Sequence, residues 1–125
     1  MNPSDFTQSQ VEHILAQHIQ ELYSEWLGNH QSQVTCHLSS KTLTILIENC
    51  VSSTERAMID MGDSEAAARW REKLEGALQP HLRTTIETDL QISVLDLLGD
   101  TSLKTDRTGF IVVLESVPTY RVESL

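Results

Sequence analysis

The stretch LLGDTSLKTDRTGFIVVL, residues 97–114, decides the fold. It holds a polar segment, residues 99–109, between two apolar runs. A phosphate-binding loop of the common kind is rich in glycine and leads into the N-terminus of a helix. Here the polar segment leads into residues 110–114, which are all apolar, a pattern typical of a central strand. We therefore predict a long hairpin loop over residues 99–109.

A second hairpin is predicted over residues 33–49, QVTCHLSSKTLTILIEN. Apolar residues alternate with polar ones from Val34 to Leu38, and Leu43, Ile45 and Ile47 share one face after the turn SSK. Such alternation indicates strands with one buried side. This hairpin therefore contributes two more antiparallel strands.

Helical spacing of apolar residues appears in three segments. Thr7 and Gln10 form a capping-box pattern before a helix of about 20 residues that ends at Gly28. Ser52 and Glu55 form a second capping box before a short helix that ends near residue 61. A long helix follows, and its predicted buried stripe is Ala67, Trp70, Leu74, Leu78, Leu82 and Ile86.

The long helix also carries a row of charged residues. These are Arg69, Arg71, Glu72, Lys73 and Glu75. Because residues three or four apart pair across a helix surface, we predict a solvated face of ion pairs. The alternative is that the basic residues of this row dock to an acidic surface. Pro80 has no N–H to donate, yet the apolar period continues across it, so we expect a kink or a restart within one domain.

The order of the elements predicts an α+β fold. An αββ unit occurs twice, which predicts a two-layer αββαββ domain over residues 7–115. In this domain the helices pack on one face of a four-stranded antiparallel sheet. Residues 1–6 are predicted as a flexible tail and residues 116–125 as a C-terminal tail. Leu46, Leu95 and Leu97 are expected on the uncovered face, where an apolar patch favours a homodimer.

Charge and cysteine content exclude several classes of protein. Nine basic and eighteen acidic residues give a net charge of −9, which disfavours binding to nucleic acid or to an anionic membrane. Cys36 and Cys50 lie too far apart along one hairpin to face each other, so we expect free thiols and a cytoplasmic protein. We find no signal-peptide pattern, and no apolar run is long enough to span a membrane. We expect any work at a membrane to go through a partner.

No pattern in the sequence predicts catalysis. The five histidines are scattered, and no H-x-x-x-H, C-x-x-C or EF-hand pattern occurs. The sequence also lacks a nucleophile elbow and a Walker-type loop. We predict no catalytic residue, no metal ion, no cofactor and no enzymatic activity.

One segment is a candidate site for a ligand or a partner. The predicted loop offers two cations with hydroxyl, carboxylate and glycine positions around them. The candidate residues are Asp100, Lys104, Thr105, Arg107, Thr108 and Gly109. Asp, Thr and Gly are also the residues that a hairpin turn needs, so a purely structural loop is the alternative.

The same segments resemble a known family. VEHILAQHIQELYSEWLG, VTCHL, LDLLGDTSLKTDRTGFIVVL and the helix that contains Pro80 are together similar to the MpsC-like family, and most to its cyanobacterial members. The most specific part is the last, where a strand, an acidic turn and RTG at residues 107–109 precede the final strand. Family members often have Gly-Pro where this chain has Gly28-Asn29, and Gly where it has Gln91. We expect these two turns to be built differently.

The resemblance implies association with a sodium-translocating, membrane-potential-generating system that is linked to inorganic-carbon uptake. It supplies no catalytic residues. We expect a non-enzymatic cytoplasmic interaction or regulatory module, accessory to a membrane sodium or bicarbonate transport system, with a transporter subunit as its partner. The alternative is a sensor that binds a small molecule or an anion through residues 99–109.

Overall fold

The computed structural model describes residues 1–122. Within them the elements follow in the order α1 (Gln8–Leu27), β1 (Gln33–Ser39), β2 (Thr42–Glu48), α2 (Ser53–Asp60), α3 (Ser64–Leu90), β3 (Val94–Ser102) and β4 (Arg107–Leu114). The strands form one antiparallel sheet in the order β1-β2-β4-β3. The predicted α+β fold is confirmed, and β4 is a central strand as its unbroken apolar run predicts.

Both predicted capping boxes form. The Thr7 hydroxyl accepts a hydrogen bond from the Gln10 N–H at 3.2 Å, and the Gln10 side chain accepts one from the Thr7 N–H at 2.9 Å. Ser52 and Glu55 make the same reciprocal pair at the start of α2. Gly28 ends α1 in the left-handed conformation, with a φ of 65°. These local signals fix where the helices begin and end.

The core lies between the helices and one face of the sheet. From α1 it receives Val11, Leu15, Ile19 and Tyr23, and from the C-terminal half of α3 it receives Leu78, Leu82, Ile86 and Leu90. Leu22 and Trp26 continue the helical spacing of these α1 residues, but their side chains are only half-buried. The two cysteines are free and buried, and Cys36 lies opposite Ile45 in the β1–β2 pair.

The N-terminal half of α3 buries other residues than predicted. Trp70 is 43% exposed and Leu74 is half-buried, whereas Arg71 and Glu75 are buried. The solvated face predicted for Arg71 and Glu75 was therefore wrong, because their charges find partners inside the fold. The helix is continuous through Pro80, which has no N–H to give to the carbonyl four residues earlier.

The β3–β4 hairpin is tighter than predicted. Asp100 pairs with Gly109, and Thr101 pairs with Thr108, so both strands extend into the segment predicted as a loop. The turn occupies only residues 103–106. The long loop over 99–109 was wrong in length, because threonines on both sides of the turn continue the ladder as strand residues.

A β-bulge decides which residues of β3 face solvent. The ladder shifts at Leu95, an extra residue that is exposed as predicted. The shift turns Leu97 toward the helices and Leu98 outward, opposite Ile111. The placement of Leu97 on the uncovered face was therefore wrong, while Leu46 lies there as predicted.

The turn from α3 into β3 is made by a side-chain-bearing residue in a glycine-like conformation. Gln91 has a φ of 56°, and its N–H donates to the Glu87 carbonyl at 2.8 Å. Gln91 thus adopts the left-handed conformation that favours glycine, and the expectation that family members build this turn differently stays a prediction.

The segments outside the predicted domain also contact it. Pro3–Asp5 form a 3-10 helix in which Pro3 is buried, and the Phe6 carbonyl accepts from the Arg121 N–H at 2.8 Å. The flexibility of residues 1–6 stays a prediction. The predicted tail at 116–125 includes residues 123–125, which lie outside the described residues.

Candidate functional site

The structure divides the six predicted site residues among three places. Lys104 and Thr105 are exposed in the turn, where the Thr105 N–H donates to the Ser102 hydroxyl at 3.3 Å. Asp100 and Gly109 pair across the β3–β4 ladder, and the Asp100 Oδ1 accepts a hydrogen bond from the Thr101 N–H at 2.8 Å. The six residues therefore do not converge on one ligand position.

Arg107 and Thr108, the other two, already have protein partners. The Arg107 Nε lies 3.3 Å from the Glu48 Oε2 on the neighbouring strand. Thr108 is fully buried and lies 2.7 Å from the Thr101 hydroxyl and 3.2 Å from the Cys50 thiol. Its burial on the helix side of the sheet makes Thr108 part of the interior.

A buried ion pair lies where α2 and α3 meet. The Arg71 Nε donates to the Glu55 Oε2 at 2.6 Å, and its Nη2 donates to the Glu55 Oε1 at 2.7 Å and to the Cys50 carbonyl at 2.6 Å. Both side chains are almost completely buried. This fork-to-fork geometry is the one in which a guanidinium binds a carboxylate most strongly.

The pair holds both of its members in their charged forms. Burial by itself raises the pKa of Glu55, but the hydrogen bonds from Arg71 and Ser52 outweigh it, so the pKa is lowered. Burial alone lowers the pKa of Arg71, but the hydrogen bonds and charge of Glu55 raise it above its usual value. The cluster is therefore a permanent ion pair inside the fold.

A second carboxyl group, Glu75, lies at the edge of this pair. Its Oε1 is 3.8 Å from the Arg71 Nη1 and accepts a hydrogen bond from the Thr101 hydroxyl. Burial raises the pKa of Glu75, the Thr101 hydrogen bond and Arg71 oppose that rise, and the charges of Asp100 and Glu55 add to it. Glu75 therefore joins α3 to the β3–β4 hairpin and holds its proton more strongly than an exposed glutamate.

Two buried polar atoms near this cluster have no hydrogen-bond partner among residues 1–122. They are the Arg71 Nη1 and the Tyr23 hydroxyl. The charges of Glu75 and Arg71 both act on Tyr23, and burial raises the pKa of its hydroxyl. Buried polar groups are nearly always hydrogen-bonded, so unpaired donors mark this as a polar pocket rather than ordinary core.

A groove of about 470 Å³ runs beside the cluster, between α3 and β3. Its walls are Ala68, Arg71, Glu72, Glu75, Gly76, Gln79, Gly99, Asp100, Thr101 and Leu103. The groove thus contains Asp100 of the predicted site together with residues that sequence reasoning assigned to a solvated face. A volume of this order suits a small organic ligand.

The burial of Arg71 and Glu75 has only a weak signal in the sequence. Both continue the four-residue spacing from Ala67 toward Leu78, so they lie on the helical stripe that the apolar residues define. Opposite charges four residues apart on a helix usually form a solvated pair. Here Arg71 is buried because it pairs with Glu55, which is distant in the sequence. The partner comes from tertiary structure, which a local pattern does not contain.

Comparison with known proteins places the whole domain in one family. A family model described as Na+-translocating membrane potential-generating system (MpsC) matches residues 7–116. No curated protein and no solved structure matches the chain. Among residues 1–122, no helix has the length and apolar character needed to cross a membrane. Because the match spans all but the two ends of the chain, this protein belongs to the MpsC family.

Proposed function

We propose that this protein is a non-enzymatic interaction module that acts as a homodimer and as an accessory to a sodium-translocating membrane system. The observation that carries the proposal is the uncovered face of the sheet. Leu98 and Ile111 lie side by side there and are 53% and 51% exposed, and Leu46 lies on the next strand. An apolar patch that crosses three strands is typical of an interaction surface.

The size of this face suits a second copy of the chain. Four strands about 24 Å long and about 4.8 Å apart offer about 450 Å² per copy. Two such faces approach the ~1,000 Å² that a specific interface needs. A two-fold axis through the face places Leu98 and Ile111 of each copy against the same patch of the other.

The charge of the chain sets the expected salt dependence of this dimer. Each copy carries a net charge of −9, so two copies repel each other at low ionic strength. Salt screens this repulsion without weakening apolar burial. We therefore expect dimerisation to strengthen as salt is added, unlike association that rests on ion pairs.

The dimer is tested by changing one residue of the patch. In Ile111→Lys a charge lies at the centre of the face, while Ala77→Lys places the same charge on an exposed position of α3. Light scattering after size exclusion should show a dimer for the wild type and Ala77→Lys, and a monomer for Ile111→Lys. A monomeric wild type at high protein concentration and high salt contradicts the dimer.

The accessory role is tested in cells that lack the gene. The wild type, Ile111→Lys and Ala77→Lys are each returned to a deletion strain, and the sodium-dependent membrane potential is measured. Cross-linked complexes from the membrane fraction are analysed for subunits of a cation transporter. We expect the wild type and Ala77→Lys to restore the potential and to be linked to such a subunit. A potential that is unchanged by the deletion contradicts the role.

The family description supports the sodium link, while a role in bicarbonate transport, cyanobacterial origin and cytoplasmic location stay predictions. The alternative sensor has less support. It relies on Lys104 and Arg107 as anion-binding cations, but Arg107 lies beside Glu48 and Thr108 is buried. Lys104 remains as the exposed cation of the turn.

A further inference from the structure

We propose that the groove between α3 and β3 binds a small amino acid as its zwitterion, with the carboxylate on Arg71 and the ammonium on Glu75 and Asp100. The proposal is independent of the dimer and of the link to sodium transport. It rests on four features of the groove: an unpaired donor, a set of acceptors, an unexplained glycine and a carbonyl without its helical donor.

The unpaired donor belongs to a residue of the groove wall. Arg71 forms part of that wall, its side chain is 4% exposed, and its Nη1 has no hydrogen-bond acceptor among residues 1–122. Glu75 is the nearest carboxyl group, but its Oε1 bonds to Thr101 and stays 3.8 Å from that nitrogen. A guanidinium nitrogen without an acceptor can still donate a hydrogen bond to one more carboxylate oxygen.

Acceptors surround this donor along the groove. The carboxyl groups of Glu72, Glu75 and Asp100 all line it, while its lone cation, Arg71, is neutralised by Glu55. The resulting wall attracts an ammonium group and repels a simple anion. A ligand that meets both requirements carries one positive and one negative group a few ångströms apart, as an amino acid does.

Packing does not require a glycine at position 76, where Gly76 lines the groove. A Cβ at Gly76 meets nothing within 4 Å, although Gly76 lies inside a helix, where glycine destabilises by about 1 kcal/mol relative to alanine. In addition, Pro80 has no N–H, so the Gly76 carbonyl lacks the donor that a regular helix supplies four residues later. Both features fit a surface that a ligand covers.

The groove offers only a short apolar surface. Gly99 lines it, but a Cβ at Gly99 comes within 2.8 Å of the Gly109 carbonyl and overlaps the ring of Phe110, so that ring already fills the space beside Gly99. Ala68 and Leu103 also line the groove and offer a surface for a small side chain, so we expect alanine- or serine-sized ligands rather than aromatic ones.

The first experiment titrates the whole chain with L-alanine and with two analogues that each lack one charge, ethylamine and propionate, at equal ionic strength. Binding is followed by calorimetry and by the amide NMR signals of Gly76 and Gly99. We expect saturable binding of L-alanine and none of either analogue. Equal binding of ethylamine, or no saturable binding of alanine, serine or glycine, overturns the proposal.

Matched variants locate the site. Asp100→Asn removes one ammonium partner and should weaken L-alanine binding about tenfold or more, the loss expected for one hydrogen bond to a charged group. Asp96→Asn, on the same strand but outside the groove, should change it less than about twofold. If Asp100→Asn and Asp96→Asn weaken L-alanine binding equally, the assignment of the site to the groove is overturned.

A second pair of variants tests the shape of the groove. Gly76→Leu fills it, whereas Ala77→Leu adds the same side chain at an exposed neighbour that does not line it. We expect only Gly76→Leu to abolish binding while both variants stay folded by circular dichroism. Full binding by folded Gly76→Leu contradicts the proposal, and the dimer measured by light scattering should be unaffected in either case.

Discussion

The buried ion pair makes a strong prediction about stability. In Arg71→Met the side chain keeps its length but loses its charge. The fully buried Glu55 carboxylate then keeps only its donors in Ser52, and the Cys50 carbonyl loses its hydrogen bond from Arg71. Removing one partner of a buried pair costs about 3–5 kcal/mol, because the other charge stays buried and uncompensated. With an m-value of about 1.5 kcal/mol/M, a loss of about 3 kcal/mol lowers the urea midpoint by about 2 M.

A second change separates the lost pair from lost packing. In the double variant Arg71→Met/Glu55→Gln neither member of the pair is charged, and the glutamine oxygen still accepts from Ser52 at the start of α2. We expect the double variant to recover about 2 kcal/mol relative to Arg71→Met, since replacing both members of a buried pair is often close to neutral.

Urea unfolding followed by circular dichroism measures all three free energies of unfolding. Arg69→Met is the control, because Arg69 is exposed on the same helix and lies 3.9 Å from an exposed Glu65. It should change stability by less than about 0.5 kcal/mol. The reasoning is refuted if Arg71→Met costs no more than this control, or if Glu55→Gln adds a further loss instead of a recovery.

Three further changes test other parts of the structure. Burial raises the folded-state pKa of Glu75 above its ordinary 4.5, so ionisation of Glu75 disfavours folding. Glu75→Gln should therefore gain stability relative to the wild type as pH rises from about 4 to 7. If the difference in the free energy of unfolding between the two proteins stays constant over this range in urea unfolding, the raised pKa is contradicted. Gly99→Ala should cost about 1–3 kcal/mol, because the new Cβ overlaps the ring of Phe110; an unchanged thermal midpoint shows that the ring moves freely. Gln91→Gly should raise the free energy of unfolding by up to about 1 kcal/mol, because it removes the strain of a left-handed residue that carries a side chain. A lower free energy of unfolding in urea contradicts a left-handed Gln91.

The sequence predicts the elements of this fold well because their signals are local. Alternation over residues 33–47 gives the first hairpin, and side-chain oxygens at Thr7 and Ser52 give the helix starts. Each signal involves residues within a few positions of one another, and the competing conformations are excluded by the same few residues. The four-stranded sheet with helices on one face follows from the order of these elements.

The main errors come from features that a local sequence pattern does not mark. A single extra residue, Leu95, turns Leu97 inward, and nothing in the local pattern marks that bulge. The burial of Arg71 depends on Glu55, sixteen positions away and on another helix. The groove depends on how α3 lies over β3, so Asp100 was found from its turn-like context, while Glu75 was assigned to solvent.

The position of the buried cluster gives the two sides of the sheet a physical connection. Thr101 bonds to Glu75 on the helix side, and it is three residues along β3 from Leu98, which faces outward in the proposed dimer interface. In the proposed amino-acid site, a ligand on Arg71 and Glu75 is expected to change the hydrogen bonding of Thr101. Allosteric coupling requires an element whose arrangement both sites bias. β3 is the strand that reaches both places, because Gly99 and Thr101 line the groove while Leu98 faces outward.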